Sequence, residues 1–228
     1  MKNMSIKPDV AIVDYGLGNL FSIQQACMHS GLNTIITSSR RKIKSARSII
    51  LPGVGAFGDA MEALKRLDLI SPLRDAAESG IPFLGICLGL QLLFTKSHEF
   101  GIHCGLDLIS GNVKQLNSTQ YMNRKLKVPQ VGWNRIKVPK GSQFKWSETI
   151  LNGIEPGTFM YFVHSYSVVP EDSSTVLTIT DYGDFRFCSG IKYNNIYGLQ
   201  FHPEKSGLEG LKIYTNFRNI INSNRSGD

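Results

Sequence analysis

The chain begins with short apolar strands that alternate with amphipathic helices, and this order restricts the fold more than any other feature. Runs of β-forming residues stand at 10–13, 34–37, 48–51 and 81–86, and residues at helical spacing lie between them, at 20–27, 59–69 and 73–79. Strands joined by helices pair in parallel, and ligands then bind beyond the carboxyl ends of the strands. A functional site is therefore expected at strand ends.

The second half of the chain has a different pattern of apolar and polar residues. Short alternating segments at 111–116, 132–138, 159–163, 175–180, 186–192 and 196–201 indicate antiparallel strands. A last amphipathic helix is predicted from an N-cap at Ser206 to Ile221, before a polar tail at 222–228. We expect one domain over residues 1–228, an α/β fold with a mostly parallel central sheet, flanking helices and an added antiparallel part.

Composition excludes several classes of protein. Hydrophobic residues make up 42% of the 228 residues, which rules out disorder for the bulk of the chain. The net charge of +7 would suit a polyanion, but the densest basic run, 40–47, lacks interleaved aromatics and is typical of a solvated or docking surface. The longest apolar stretch, 81–94, is too short and too interrupted to span a bilayer. We therefore expect neither a nucleic-acid partner nor a membrane span.

The four cysteines favour a reducing compartment. Cys27, Cys87, Cys104 and Cys188 are scattered without a CxxC pair, and a chain of this length does not need disulfides to stay folded. Their spacing supports neither a metal site nor a disulfide. We expect a cytoplasmic protein without a bound metal.

One of these cysteines stands where a nucleophile is expected. The segment GICLG around Cys87 follows a predicted buried strand and precedes a helical stretch at 90–94, which is the order of a nucleophile elbow. The flanking glycines allow a sharp turn, and the N–H groups at the start of the helix favour a thiolate. A lone buried cysteine more often serves packing. The spacing of this turn instead favours Cys87 as a nucleophile.

A thiolate nucleophile needs a base, and His202 stands at another predicted strand end. Pro203 fixes the turn after it, and Glu204 can reach the imidazole and hold its tautomer. A single histidine is more often structural. The joint pattern of Cys87, His202 and Glu204 predicts a relay in which the acid orients the histidine and the histidine moves the proton.

Stabilising an oxyanion requires hydrogen-bond donors that are already in place. The backbone N–H of Leu88 is one candidate, and the amides of Pro52-Gly53-Val54-Gly55 are a second, although an ordinary turn explains that sequence equally well. The turn at 14–19 resembles a phosphate-binding loop, but the rest of a dinucleotide fingerprint is missing. No NAD site is predicted.

Together these segments resemble a known enzyme family. GICLGLQLLF around Cys87, PGVGAFGDA from Pro52, FVHSY from Phe162 and GLQFHPEKS from Gly198 are similar to the class I (triad-type) glutamine amidotransferases. IVDYGLGNLFS from Ile12 and VPQVGWN from Val128 narrow the resemblance to the glutaminase subunits of imidazole glycerol phosphate synthase. The resemblance covers nearly the whole chain and implies hydrolysis of L-glutamine to L-glutamate and ammonia, without a cofactor or metal.

The resemblance also implies a catalytic role for each residue. Cys87 would attack the side-chain amide to form a glutamyl thioester, His202 would protonate the departing ammonia and activate water, and Glu204 would orient His202. The oxyanion amides would lie in the Gly53-Val54 segment and at Leu88. In the family, the Val54 segment must rearrange when the partner subunit is occupied.

The remaining implied residues bind the substrate or the partner. Gln91 and Glu99 would hold the amino acid end of glutamine, with the backbone around Ser165 and Tyr166. Trp133 and Asn134 would face a (β/α)8 barrel cyclase subunit in a heterodimer, which makes imidazole glycerol phosphate and an aminoimidazole carboxamide ribotide in histidine biosynthesis. Trp133 as an ordinary core residue is the alternative.

Two departures from the usual histidine-pathway pattern leave alternatives open. Residues 129–134 read Pro-Gln-Val-Gly-Trp-Asn where Pro-His-Met-Gly-Trp-Asn is usual, and Leu90 replaces a common methionine. Similar paralogues supply ammonia for amidation of a nucleotide sugar in surface-polysaccharide synthesis. A silent interaction protein and a cysteine peptidase of related fold are further alternatives; the intact triad argues against the first, and Gln91 and the position of Glu204 argue against the second.

Overall fold

The computed structural model describes residues 7–116, 120–121 and 124–224, so the last four residues of the predicted polar tail lie outside the described part. The helices are α1 (Leu20–His29), α2 (Arg40–Ser45), α3 (Phe57–Arg66), α4 (Ile70–Glu78), α5 (Leu88–Leu92) and α6 (Gly207–Ser223). The strands are β1 (Val10–Val13), β2 (Thr34–Thr37), β3 (Ile49–Leu51), β4 (Phe83–Ile86), β5 (Phe94–Ser97), β6 (His103–Cys104), β7 (Ile109–Gln115), β8 (Gln120–Tyr121), β9 (Arg124–Lys125), β10 (Gln130–Arg135), β11 (Phe159–His164), β12 (Tyr166–Pro170), β13 (Val176–Tyr182), β14 (Phe185–Tyr193) and β15 (Ile196–Leu199).

One mixed sheet organises the molecule. Its strand order is β2-β1-β3-β4-β15-β14-β12-β7-β5-β6, with β13 paired to β14. The pairs among β2, β1, β3, β4 and β15 are parallel, whereas β15/β14, β14/β12 and β12/β7 are antiparallel. The antiparallel strands thus extend the parallel half, as the sequence predicts. β10 and β11 form a separate antiparallel pair with a connection of 23 residues, named here the β10–β11 hairpin.

Both faces of the parallel half are buried, because β1, β3 and β4 carry apolar residues in an unbroken run. Alternate side chains face opposite cores. One core joins these strands to α2, α3, α4 and α5 and contains Ala11, Val13, Ile49, Leu51 and Phe83. The other joins them to α1 and α6 and contains Val10, Ile12, Ile50, Leu84 and Ile86.

The structure adds one helix to the sequence-based expectations and changes details of two others. The basic run at 40–47 contains the short helix α2, because Ile43 is fully buried and anchors it beneath a charged exterior. The helix expected at 90–94 is α5, which starts at Leu88, and Phe94 already belongs to β5. Ser206 occupies the N-cap position of α6, but its hydroxyl makes no capping bond and donates to the carbonyl of His202 instead (2.7 Å).

The carboxyl ends of β3, β4 and β15 lie side by side in the sheet. Pro52 follows β3, Cys87 follows β4, and Gln200 follows β15. Segments that the sequence places far apart therefore meet at one edge, which is where the open α/β sheet offers a crevice. Within the described residues no helix is long and apolar enough to cross a membrane.

Candidate active site

The turn at Cys87 has the backbone of a nucleophile elbow. Cys87 has φ 55° and ψ −110°, a backbone conformation that residues other than glycine rarely adopt. A Cβ at Gly85 would lie 2.8 Å from the carbonyl oxygen of Gly89, and a Cβ at Gly89 would lie 1.8 Å from that of Leu51. Only glycine fits on either side of the cysteine, so the local sequence follows from the close packing of α5 on β3 and β4.

His202 and Glu204 are held together inside the protein. Nδ1 of His202 lies 2.8 Å from Oε1 of Glu204, and both side chains are almost wholly buried. The backbone N–H of His202 donates to the carbonyl of Tyr161, and Ser206 bridges the carbonyl of His202 and the N–H of Tyr161. His202 is therefore fixed by hydrogen bonds to β11 as well as by the carboxylate of Glu204.

The second ring nitrogen of His202 interacts with Cys87. Nε2 makes no geometrically complete hydrogen bond within the described residues, and its interaction is with the sulfur of Cys87. Burial by itself lowers the pKa of His202, but its interactions with Cys87 and Glu204 outweigh burial and raise that pKa to about 10. A histidine charged at neutral pH favours an anionic sulfur beside it. The structure thus brings together the three residues that the sequence predicts as a relay.

The predicted oxyanion donors are close together but are not free. The N–H of Leu88 donates to the carbonyl of Gly53 at 3.3 Å, so the Gly53-Val54 peptide presents an oxygen where a donor is required. The Val54 side chain is exposed, and Gly55 follows it with φ 101°. The segment therefore lies in a closed arrangement, and its carbonyl must turn away before Leu88 can serve an oxyanion.

A cavity of about 290 Å³ opens in front of Cys87. This volume is near the lower end of the range for small-molecule sites, roughly 300–1,000 Å³, and suits a small substrate. Its wall includes every predicted substrate-binding residue. The lining comprises Val54, Gly55, Cys87, Leu88, Gln91, Glu99, Pro129, Val163, His164, Ser165 and Tyr166.

The polar residues of this cavity are tied into the fold. Nε2 of Gln91 donates to the carbonyl of Tyr166 (3.0 Å) and to Oε1 of Gln200 (3.1 Å), so both donors of this amide are occupied. Oε2 of Glu99 accepts from the N–H of Phe57 at the start of α3 (2.7 Å). Both side chains are thereby oriented in advance.

Sequence reasoning assigned no role to three residues at this site. Gln200 is fully buried, and its Nε2 lies 3.7 Å from the sulfur of Cys87. Tyr15 is buried in the same region and donates to the carbonyl of Pro52. His164 binds the Tyr166 carbonyl through Nδ1, and burial is the main cause that lowers its pKa to about 4. A polar residue directly after a buried strand was the available signal for Gln200.

The two predicted partner-facing residues lie on opposite faces of the β10–β11 hairpin. Trp133 is 55% exposed and packs edge to face against Tyr161. The amide of Asn134 instead donates to the carbonyl of Asp181 on β13 (2.9 Å), and its oxygen accepts from Arg135. The exposed face carries apolar and aromatic residues together with one arginine, in the cross-strand pairs Val131–Val163, Trp133–Tyr161 and Arg135–Phe159.

The other cysteines lie apart from this chemistry. Cys27 and Cys188 are buried, and burial raises the pKa of each to about 12. Cys104 is exposed on β6. No group of three or more histidine, cysteine or carboxylate side chains suited to a metal ion occurs in the part of the chain that the structure describes.

Comparisons with known proteins point to one family. The family model "Glutamine amidotransferase class-I" matches residues 11–220. The chain is 48% identical over 208 residues to the imidazole glycerol phosphate synthase subunit HisH of Aquifex aeolicus, covering 91% of this chain and 94% of that one. It is 45% identical over 213 residues to the HisH subunit of Moorella thermoacetica, covering 93% and 95%.

Solved structures support the fold. PurLQS from Thermotoga maritima matches with a TM-score of 0.69 at 21% identity, over 94% of this chain and 99% of that one. A glutamine amidotransferase, also from Thermotoga maritima, matches with a TM-score of 0.59 at 14% identity, over 98% of this chain and 87% of that one. The predicted α/β fold class is confirmed.

Proposed function

Because the chain belongs to the class-I glutamine amidotransferase family, we propose that it is the glutaminase subunit of imidazole glycerol phosphate synthase, acting through Cys87, His202 and Glu204. The observation that carries the proposal is the buried His202–Glu204 pair beside the strained Cys87 turn at the mouth of the cavity. The high identity to HisH subunits supports a place in histidine biosynthesis. The exposed Cys104 and the buried Cys27 and Cys188 have no comparable surroundings.

The reaction divides into two acyl transfers. The Cys87 thiolate attacks the side-chain amide carbon of glutamine, and the C–N bond breaks as His202 gives a proton to the leaving ammonia. A glutamyl thioester remains on Cys87. His202 then takes a proton from water, the hydroxide attacks the thioester, and glutamate leaves as the sulfur is restored. Glu204 keeps the same ring nitrogen of His202 facing the sulfur throughout.

Substrate binding follows from the polar wall of the cavity. Glu99 would bind the ammonium group of glutamine through Oε1, since Oε2 is engaged by Phe57. Gln91 would offer its side-chain oxygen, and the backbone around Ser165 and Tyr166 would bind the remaining polar groups of the amino acid end. This arrangement would place the side-chain amide of the substrate toward Cys87.

The closed Gly53-Val54 peptide supports a dependence on a partner. With the Leu88 N–H bonded to Gly53, the tetrahedral intermediate would lack its main-chain donors, and hydrolysis by the chain alone would be slow. Turning this peptide over would replace the carbonyl with the Val54 N–H and complete the oxyanion site. Binding of an occupied partner subunit would supply the free energy for this rearrangement.

The partner would be a cyclase subunit of (β/α)8 fold in a cytoplasmic heterodimer. The exposed face of the β10–β11 hairpin supports this assignment, because aromatic residues such as Trp133 and Tyr161 are typical of protein interfaces. Asn134 would support the hairpin from its inner side. Ammonia released beside Cys87 would pass to the cyclase for synthesis of imidazole glycerol phosphate and an aminoimidazole carboxamide ribotide.

The proposal is tested by glutamate release from L-glutamine. The chain is mixed with the cyclase subunit of the same organism's histidine pathway, with and without the nucleotide ligand of the cyclase. We expect strong stimulation by the occupied cyclase, and its loss in Cys87→Ala, with Cys104→Ala as the matched control that keeps activity. Absence of stimulation by this cyclase, or activation by a paralogous one that serves nucleotide-sugar amidation, would contradict the assignment to histidine biosynthesis.

A further inference from the structure

The carboxylate of Glu204 uses only one of its two oxygens among the described residues. Oε1 lies 2.8 Å from Nδ1 of His202, whereas Oε2 is buried and has no hydrogen-bond partner there. The side chain of Glu204 is fully buried. Taking a carboxylate oxygen out of water without giving it a donor is unfavourable, and buried polar atoms are normally paired. Oε2 of Glu204 therefore requires a donor from its surroundings.

A hydroxyl group that also lacks a partner lies within electrostatic reach of this carboxylate. Tyr214 on α6 is fully buried, and no described residue makes a hydrogen bond with its hydroxyl. Burial is the main cause that raises the pKa of Tyr214 far above its ordinary value, and the charge of Glu204 is the next. The hydroxyl thus keeps its proton and is able to donate.

The packing of α6 directs Tyr214 toward Glu204. A Cβ at Gly210 would lie 1.9 Å from the carbonyl oxygen of Pro203 and 2.9 Å from Cβ of Ser206, so the first turn of α6 packs directly against the segment that carries Glu204. Tyr214 stands four residues after Gly210 and therefore on the same face of the helix. Long side chains of a helix lean back toward its N-terminus, which brings the tyrosine ring toward this segment.

The hydroxyl of Tyr214 and Oε2 of Glu204 are chemically complementary. The hydroxyl has a proton to donate, and the carboxylate oxygen has lone pairs to accept one. They make no direct hydrogen bond with each other, and a water molecule is the smallest group that accepts from the hydroxyl and donates to the carboxylate. A carboxylate held at both oxygens cannot rotate away from His202, so the proton on Nδ1 stays in place.

We propose that Tyr214 is a positioning residue whose hydroxyl donates, through one buried water, to Oε2 of Glu204 and thereby keeps Oε1 directed at His202. This inference rests on the proposed function, because it adds a support to the same proton relay. Tyr214 does not belong to the described lining of the cavity in front of Cys87, so it acts through Glu204 and takes no part in the proton transfers.

The test uses the full-length Tyr214→Phe variant, with Tyr197→Phe as the matched control. Tyr197 is a buried tyrosine on β15, and burial is the cause that raises its pKa to about 12. In protein labelled with ¹⁵N at histidine, NMR follows exchange of the His202 Nδ1 proton with water, which reports opening of the bond to Glu204. We expect exchange about tenfold faster in Tyr214→Phe, since a hydrogen bond to a charged group is lost, and no change in Tyr197→Phe. Tyr214→Met removes the same hydroxyl and serves if Tyr214→Phe does not fold.

Glutamate release with the occupied cyclase provides the second readout. In Tyr214→Phe, kcat should fall about tenfold while the KM for glutamine stays near that of the wild type, because Tyr214 does not line the cavity. The same substitution is then made in the Glu204→Gln variant. There it should change kcat by less than about twofold, because the carboxylate through which Tyr214 acts is gone.

Two results would overturn the proposal. One is equal exchange of the His202 proton in Tyr214→Phe and the wild type. The other is an equal loss of kcat on removing the Tyr214 hydroxyl from the wild type and from Glu204→Gln, because Tyr214 would then act independently of Glu204. If the wild type with its occupied cyclase released no glutamate, the proposed function would fail, whereas exchange of the His202 proton would still test the role of Tyr214.

Discussion

His202 is held from two sides, by Glu204 at Nδ1 and by the sulfur of Cys87 on the side of the cavity. These two neighbours, rather than burial, keep its pKa high, because burial alone would favour the neutral ring. In the proposed mechanism the charged imidazole would supply the proton for the leaving ammonia. The fate of this one proton therefore determines how the reaction responds to pH.

Replacing Glu204 with Gln removes one of the two causes that raise the pKa of His202. The wild-type enzyme should lose activity only as the pH rises toward about 10, where His202 loses its proton. In Glu204→Gln the pKa of His202 falls, so this loss should begin at lower pH, and kcat/KM at neutral pH should drop about a hundredfold. The profile of kcat/KM against pH, with the occupied cyclase present, measures both effects.

Glu209→Gln is the control for this experiment, since Glu209 carries the same carboxylate on α6 but pairs with Lys212 at the surface. It should leave the profile unchanged. A basic limb at the same pH in Glu204→Gln and wild type would show that Glu204 does not support the charge of His202.

At the scale of elements, the site depends on how closely α5 approaches β3. The carbonyl of Leu51 at the end of β3 lies where a side chain of Gly89 would begin, and this contact fixes the start of α5 behind the nucleophile. The same helix places the N–H of Leu88 beside Gly53. Nucleophile, oxyanion donor and movable segment are thus placed by a single helix–strand contact.

Gly89→Ala should lower the free energy of unfolding by about 3 kcal/mol, because its Cβ would lie 1.8 Å from the oxygen of Leu51 and both elements would have to separate. Gly153→Ala is the control: its φ of 72° strains an alanine, but its Cβ meets no neighbour. That change should cost about 1 kcal/mol. Urea denaturation measures both values, and equal losses would contradict the importance of the α5–β3 contact.

The elements themselves could be predicted from sequence where local pattern decides them. The strands at 10–13 and 34–37 have the expected bounds, because they are apolar runs between clear turn residues. β5 and β12 were not predicted, because their short sequences show no clear strand pattern. Their pairing with β7 supplies the hydrogen bonds that make them strands. The missed helix α2 is held mainly by burial of one side chain, Ile43.

The same distinction applies to the site. Cys87 could be proposed from sequence because it stands directly after a strand, His202 because it stands three positions after the end of β15, and Glu204 because it is close in sequence to His202. Gln200 and Tyr15 act through contacts with residues far along the chain, at 3.1 Å to Gln91 and 2.7 Å to Pro52, which no local pattern records. The inverted Gly53-Val54 peptide is likewise a matter of backbone orientation and is invisible in sequence.

At the scale of the whole molecule, the candidate active site and the surface proposed for the cyclase are adjacent. Val163 on β11 receives a contact from the sulfur of Cys87 through its carbonyl (3.8 Å) and also belongs to the exposed face of the β10–β11 hairpin. The hairpin therefore links the nucleophile to the surface proposed for the cyclase. A partner bound there would lie close to the point where ammonia is released.

Trp133→Ala should weaken binding of the cyclase about thirtyfold, or ~2 kcal/mol, as expected for a central aromatic residue of an interface. Tyr193→Ala is the control. Tyr193 is similarly exposed, but it lies at the turn between β14 and β15, at the end of β15 that is far from the active site. Titration calorimetry of each variant against the cyclase measures the affinities. Equal affinities for wild type and Trp133→Ala would place the interface elsewhere.

The proposed mechanism requires Cys87 to be the nucleophile for glutamine. The most direct measurement is covalent labelling of the complex with the occupied cyclase by an electrophilic analogue of glutamine, followed by mass-spectrometric mapping of all four cysteines. We expect one label, on Cys87, whose formation slows as L-glutamine is added. Labelling of the exposed Cys104 instead, or labelling of Cys87 that glutamine does not slow, would contradict the assignment of Cys87 as the nucleophile.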